Sequence, residues 1–185
     1  IIAGVFVLQL IGPVFVKIGS KKAGEAGLNI TEEDLIRTRT VGDMMDRTVP
    51  AITSGLHLIE VIKIVSTTDN FYYPVVDNDK KLIGAVTLSG IRNTFATQEI
   101  NDWLIAMDII EPIIARLGPD LALSEAFNKA KQLGVEYIPI VNGGQGDEFV
   151  GVLDTNATHR KLSAEILAKQ HEADSMYGLK TGVIN

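Results

Sequence analysis

The sequence has no cysteine, a single tryptophan, three histidines and no run of basic residues. Without cysteine there is neither a disulfide framework nor thiolate chemistry, and the chain suits a reducing compartment. Without a basic stripe, and with a formal net charge of −6 over 185 residues, nothing in it tracks a phosphate backbone, so no nucleic-acid partner is expected. His57, His159 and His171 include no pair at helical ligand spacing. That excludes a zinc helix of the His-Glu-x-x-His type, and no metal site is expected. No serine or other nucleophile is set beside a base, so no catalytic residue is expected and the chain does not read as an enzyme. Asn142 to Gly146 is glycine-rich but lacks the lysine and following helix of a phosphate loop, and reads as a turn between strands. Asp77, Asn78 and Asp79 lack the spacing and the distant glutamate of a calcium loop.

What is there begins with an apolar run, Ile1 to Ile18, interrupted only by Gln9, Gly12-Pro13 and Lys17. As a helix it spans roughly 27 Å, near the thickness of a bilayer's hydrocarbon core. A signal peptide would carry its positive charge before the apolar run, whereas Lys17, Lys21 and Lys22 stand at its far end. The run reads as the tail of a transmembrane helix, with the rest of the chain on the cytoplasmic face of the membrane. The alternative is a buried helix of a soluble protein. Because the first residue is isoleucine, a fragment or processed product is expected. A small polar connector follows. Thr31-Glu-Glu-Asp34 then starts a short helix, with a threonine cap and acids in its first turn, ending near Arg39.

From Val41 the sequence repeats itself. Aligning Pro74 with Pro139 sets an offset of 65, at which Asp43 meets Asp108, Leu56 meets Leu121, Leu58 meets Leu123, Glu60 meets Glu125 and Tyr72 meets Tyr137. After a turn two residues longer in the second copy, Gly84 meets Gly151 at an offset of 67. Each copy has one plan. A short helical turn (Val41–Met45; Ala106–Ile110) leads to an extended piece, then to an amphipathic helix, clearest where Leu123, Ala126, Phe127, Ala130 and Leu133 share a face. Two strands follow (Tyr72–Val76 and Leu82–Thr87; Tyr137–Val141 and Phe149–Asp154). A last helix starts near Ser89 or Thr155. A unit of about 60 residues buries a sheet poorly alone. The expected architecture is therefore α+β, two βαββα units packed sheet to sheet about a pseudo-twofold axis, preceded by the apolar N-terminal helix. The expected boundaries are 1–19 for that helix, 20–40 for linker and short helix, 41–98 for the first repeat, 99–170 for a connecting helix and the second repeat, and 171–185 for a loose tail.

Tyr73-Pro-Val-Val-Asp77 with Leu82-Ile-Gly-Ala-Val-Thr87, and Ile138-Pro-Ile-Val-Asn142 with Phe149-Val-Gly-Val-Leu-Asp154, resemble the CBS domain, here as a tandem pair over about Val41 to Leu167. The resemblance implies a regulatory module that senses an adenine nucleotide (AMP, ADP or ATP) in clefts between the repeats, needs no cofactor and forms a homodimer. Gly12-Pro13 with Lys21-Lys-Ala-Gly-Glu25 resembles the exit from the last membrane helix of sodium/proton-antiporter-type transporters. That implies a membrane transporter domain in the same chain.

In repeats of this family that hold nucleotides, the glycine-led strand ends in a hydroxyl residue, and the next helix opens with a second polar residue and an aspartate. Hydroxyls at a helix N-terminus suit phosphate, and a carboxylate accepts ribose hydroxyls. Thr87 and Ser89 match the phosphate-side positions, but Gly90 replaces the ribose aspartate. In the second copy Asp154 replaces the hydroxyl and Ala157 the aspartate, which leaves that site in doubt. By the same resemblance the adenine side is lined from the extended pieces (Val49, Ala51; Ile113 to Leu117) and the strand starts (Tyr73, Pro74, Ile138, Pro139), with Arg116 facing a phosphate across the cleft. The plainer alternative is that Thr87 and Ser89 end a strand and cap a helix, that the tyrosines pack, and that Arg116 is a solvated surface charge. If the ligand sites have decayed, the module is a dimerisation scaffold. Trp103, on an expected helix from Glu99 to Asp108, reads as a packing anchor or a dimer-surface residue.

Overall fold

The structure, a computed structural model, describes residues 31–97, 103–143 and 147–181. The apolar run Ile1–Ile18, the connector after it, residues 98–102 of the expected connecting helix, residues 144–146 and residues 182–185 lie outside the described residues. The elements are α1 (Glu32–Thr38), α2 (Val41–Met44), β1 (Ile52–Thr53), α3 (Leu58–Ser66), β2 (Tyr72–Val76), β3 (Leu82–Thr87), α4 (Leu88–Thr97), a 3-10 turn (Ala106–Ile109), α5 (Leu123–Leu133), β4 (Tyr137–Asn142), β5 (Glu148–Asp154) and α6 (Thr155–Thr181). The fold is mixed α+β. In the first repeat β1 runs parallel to β2, which pairs antiparallel with β3, and β4 and β5 form an antiparallel pair in the second. Both hairpins carry a bulge at the same place, between Val75 and Val76 and between Ile140 and Val141.

Residues 36–158 form one compact unit, and the flanking residues belong to a second. In the flanking unit Thr31 caps α1 as its sequence suggests. Asp34 N–H donates to Thr31 Oγ1 at 3.3 Å, and Thr31 N–H donates back to Asp34 Oδ2 at 3.1 Å, a reciprocal capping box. Glu32 pairs with His159, and Lys169 with Glu165 at 2.9 Å one helical turn away. Helix α6, expected to end near Gln170, runs on to Thr181. Among the described residues no helix is long and apolar enough to cross a membrane.

Within residues 36–158 the two copies are joined by an exchange of backbone hydrogen bonds. The segment entering the first copy bonds to the second: Val41 N–H donates to Leu121 O (2.9 Å), Gly42 N–H to Pro119 O (2.8 Å), and Asp46 with Val152 both ways (2.8 and 2.9 Å). The segment entering the second copy returns the pattern. Ala106 N–H donates to Leu56 O (2.8 Å), Met107 N–H to Ser54 O (2.9 Å), and Glu111 and Ala85 bond both ways (2.8 and 3.1 Å). Each bond maps onto its counterpart when the copies are interchanged, which is the signature of a local twofold. Two self-paired contacts mark the axis, the stacked rings of Tyr72 and Tyr137 and the bridge between Lys81 and Glu148. The short turn expected to open each repeat thus packs on the other repeat. Ala106 and Ile109 accordingly sit in one buried cluster with Ile52, Val61, Tyr73 and Val86 of the first copy.

Three expectations change. The second copy lacks a counterpart of β1, and only a parallel bridge between Leu117 and Ile140 remains. In the first copy Ser54 N–H donates to Val76 O at 2.9 Å, and its equivalent by the repeat is Pro119, which has no N–H to give. Trp103 is no packing anchor: it is 84% exposed and lies in a turn rather than in the expected helix. Leu133 does not share the buried face of α5, being 40% exposed where the helix ends at Gly134 in the left-handed conformation (φ 66°).

Two glycines are required by the exchange. A Cβ on Gly151 would lie 2.9 Å from Asp46 O and 3.1 Å from Met45 Sδ, and one on Gly84 would lie 3.0 Å from Ile110 Cβ and 3.2 Å from Glu111 O. Gly151→Ala is expected to destabilise the unit by about 1–3 kcal/mol through overpacking, lowering the urea midpoint at unchanged slope. Gly55→Ala, where a Cβ meets nothing within 4 Å, is the control. Equal midpoints for the two variants would contradict the close approach.

Candidate functional site

Where β3 becomes α4, Thr87 closes the helix N-terminus. Its Oγ1 accepts the Gly90 N–H at 2.9 Å and lies 2.8 Å from Ser89 Oγ, the usual service of a threonine at this position. It also donates to Glu111 Oε1 at 3.1 Å. Glu111 reaches it from the entry segment of the second copy, with its backbone fixed to Ala85 in both directions. Residues of both copies thereby meet around a cavity of about 180 Å³, whose walls include Tyr72, Thr87, Glu111, Ile114, Tyr137 and Pro139. The two tyrosine rings stack nearly parallel, 9° apart with centroids at 5.8 Å, an arrangement aromatic pairs favour. Burial, and after it the negative charge of Glu111, push the Tyr72 phenol above its ordinary value, so the hydroxyl keeps its proton.

A second cavity of about 490 Å³ lies beside the turn of the first hairpin and is lined by residues including Ala51, Thr53, Asp77, Lys80 and Phe149. By the repeat, Ala51 and Lys80 correspond to Arg116 and Asp147, and those two form an ion pair. Among the described residues no group of three or more His, Cys, Asp or Glu could hold a metal ion.

Residues 41–96 match the CBS domain family. The fold agrees with solved structures of that kind. AcuB from Vibrio cholerae superposes with a TM-score of 0.62 at 20% identity, over 72% of this chain and 96% of that one. The CBS domain of a CBS domain-containing membrane protein from Sphaerobacter thermophilus gives 0.59 at 17% identity, over 78% and 97%. CBSX2 in complex with AMP gives 0.57 at 14% identity, over 69% and 98%. A search of curated proteins returned no match.

Within this CBS fold only some of the expected ligand residues converge. Thr87 and Pro139 line the smaller cavity and Ala51 the larger, while Ser89 is exposed and held by Thr87. Tyr73 is fully buried, its hydroxyl 2.7 Å from Thr68 Oγ1, so it packs in the core instead of meeting a ligand. Strand alternation explains the difference, since Tyr72 points to the opposite face. Val49, Pro74 and Ile138 are likewise buried. Arg116 is engaged by Asp147 and is not a lone surface charge. Asp154 accepts the Ala157 N–H at 2.8 Å and so caps α6. Sequence reasoning missed Glu111, Glu136 and the place of Tyr137 in the cavity wall. The repeat held a signal for the first: at the offset of 65, Glu111 falls on Asp46, so both copies place an acid just after the short turn.

Because the folded state holds the Tyr72 proton more tightly than the unfolded chain does, the stability this gives is complete below the ordinary tyrosine value of about 10. It is lost as pH rises above that value. The urea midpoint should fall as pH rises from about 10 to about 12, and fall less in Tyr72→Phe than in the parent chain. An identical fall in both would contradict the buried phenol.

Proposed function

We propose that residues 36–158 are a regulatory sensor of an adenine nucleoside or nucleotide, bound in the cleft where Tyr72 and Thr87 of one repeat meet Glu111, Tyr137 and Pro139 of the other. That convergence of both copies on one cavity carries the reading. A ligand that touches both copies favours one arrangement of them over others, which is all a sensor needs. AMP in the complex of the similarly folded CBSX2 supports the ligand class, and the module is regulatory rather than catalytic. We further propose that it serves a membrane cation/proton transporter domain of the same chain, from the cytoplasmic face of the membrane, and works as a homodimer. The apolar run Ile1–Ile18 with lysines at its far end supports the membrane context, as does the similar fold found in a membrane protein. Exposed Ile59, Phe95, Trp103 and Met107 support a further interface.

A second reading, a dimerisation scaffold with no ligand, draws on Gly90 and Ala157 in place of the aspartates and on Asp154 as a helix cap. Calorimetric titration with adenosine, AMP, ADP and ATP separates the two. Micromolar binding of at least one is expected, abolished in Ala115→Phe, which fills the cavity. Absence of heat from all four, on folded protein, would count against this ligand class and favour the scaffold or a different ligand.

A further inference from the structure

The surroundings of Thr87 are built against a phosphate. Its hydroxyl has one proton and two lone pairs, and all three are in use: the proton goes to Glu111, and the lone pairs take the Gly90 N–H and the Ser89 O–H. The Thr87 and Ser89 hydroxyls and the Gly90 N–H are therefore already engaged at the start of α4. The acceptor of the Thr87 proton is moreover a carboxylate, and a phosphate beside it would meet a like charge in a partly dry cleft. Among the described residues lining the cavity there are two acids, Glu111 and Glu136, and no lysine, arginine or histidine. Arg116, next along the chain, is held by Asp147.

Glu111 also occupies the space beside Gly90. A Cβ at position 90 would lie 2.7 Å from Glu111 Oε1 and 3.4 Å from its carboxyl carbon. A side chain there would require the Glu111 carboxylate, the far end of a flexible side chain, to move from its present place. The carboxylate that residue 90 lacks is thus present in nearly the same space, delivered from the other repeat on a backbone clamped to Ala85. A carboxylate accepts two O–H groups, as a ribose diol offers. Beside it the Tyr72 phenol stays protonated, under burial and the Glu111 field, and adds no charge.

We propose that this cleft selects adenine nucleosides whose 5′ end is uncharged or positively charged over their phosphorylated forms, with Glu111 both accepting the ribose hydroxyls and repelling phosphate. The inference rests on the adenosine reading given above. Its test is calorimetric titration of the parent chain and of Glu111→Gln with adenosine, S-adenosylmethionine, AMP and ATP. In the parent chain adenosine and S-adenosylmethionine should bind at least about tenfold more tightly than AMP, and ATP more weakly still. Glu111→Gln should shrink the adenosine-to-AMP ratio to below about threefold, and added salt should shrink it in the parent chain without any mutation. AMP or ATP binding the parent chain as tightly as adenosine would overturn the inference and leave the sensor reading standing. So would a ratio indifferent to both salt and Glu111→Gln. No binding by any of the four would defeat the sensor reading and this inference together.

Discussion

The structure depends on the exchange of entry segments between the two repeats. Val41 to Asp46 hydrogen-bonds to the second copy, and Ala106 to Glu111 to the first. Neither copy completes its own ladder. Separated, each would leave several backbone donors and acceptors without partners, and an unmet buried group costs about 1–3 kcal/mol. The buried cluster of the first copy would also lose Ala106 and Ile109. Two halves each of marginal size are in this way obliged to fold as one body, and Gly84 and Gly151 are the positions where the backbones come too close for a side chain.

The cleft is a by-product of the same pairing. The bonds between Ala85 and Glu111 hold the second copy's entry segment against β3, and that places a carboxylate within reach of the hydroxyl that ends the strand. A site built across the exchange is suited to report on it, because whatever binds there touches the contact that holds the copies together.

Backbone symmetry is accompanied by divergence of side chains. Thr87 is matched by Asp154, Glu111 by Asp46, Ala51 by Arg116 and Lys80 by Asp147. Each helix start is capped from the end of the preceding strand in both copies, once by a hydroxyl and once by a carboxylate. The larger cavity beside Ala51 and Lys80 has, at the equivalent place, an ion pair between Arg116 and Asp147. The two copies share the backbone pattern and differ in the side chains that face the clefts.

Helix starts, hairpins and the repeat were legible in the sequence because they rest on local chemistry: Thr31 with Asp34, the alternation through Tyr72–Val76, and glycines at equivalent strand positions. Leu133 and Tyr73 depart from expectation through local geometry, a helix end and strand alternation, whereas other features depend on contacts between residues distant in sequence. Trp103 reads as an anchor by its size, yet its neighbours leave it 84% exposed. Arg116 is paired with Asp147, 31 residues away, a partner its sequence neighbours do not disclose. Gly90 lacks a side chain, and the carboxylate beside it comes from Glu111 of the other repeat. The sequence by itself determined two copies of one α+β unit, since periodicity and capping act within a few residues. Only the tertiary structure decided that the copies exchange their entry segments, and hence which charges meet in the cleft, because side chains from separate repeats are brought together by the fold and not by their spacing along the chain.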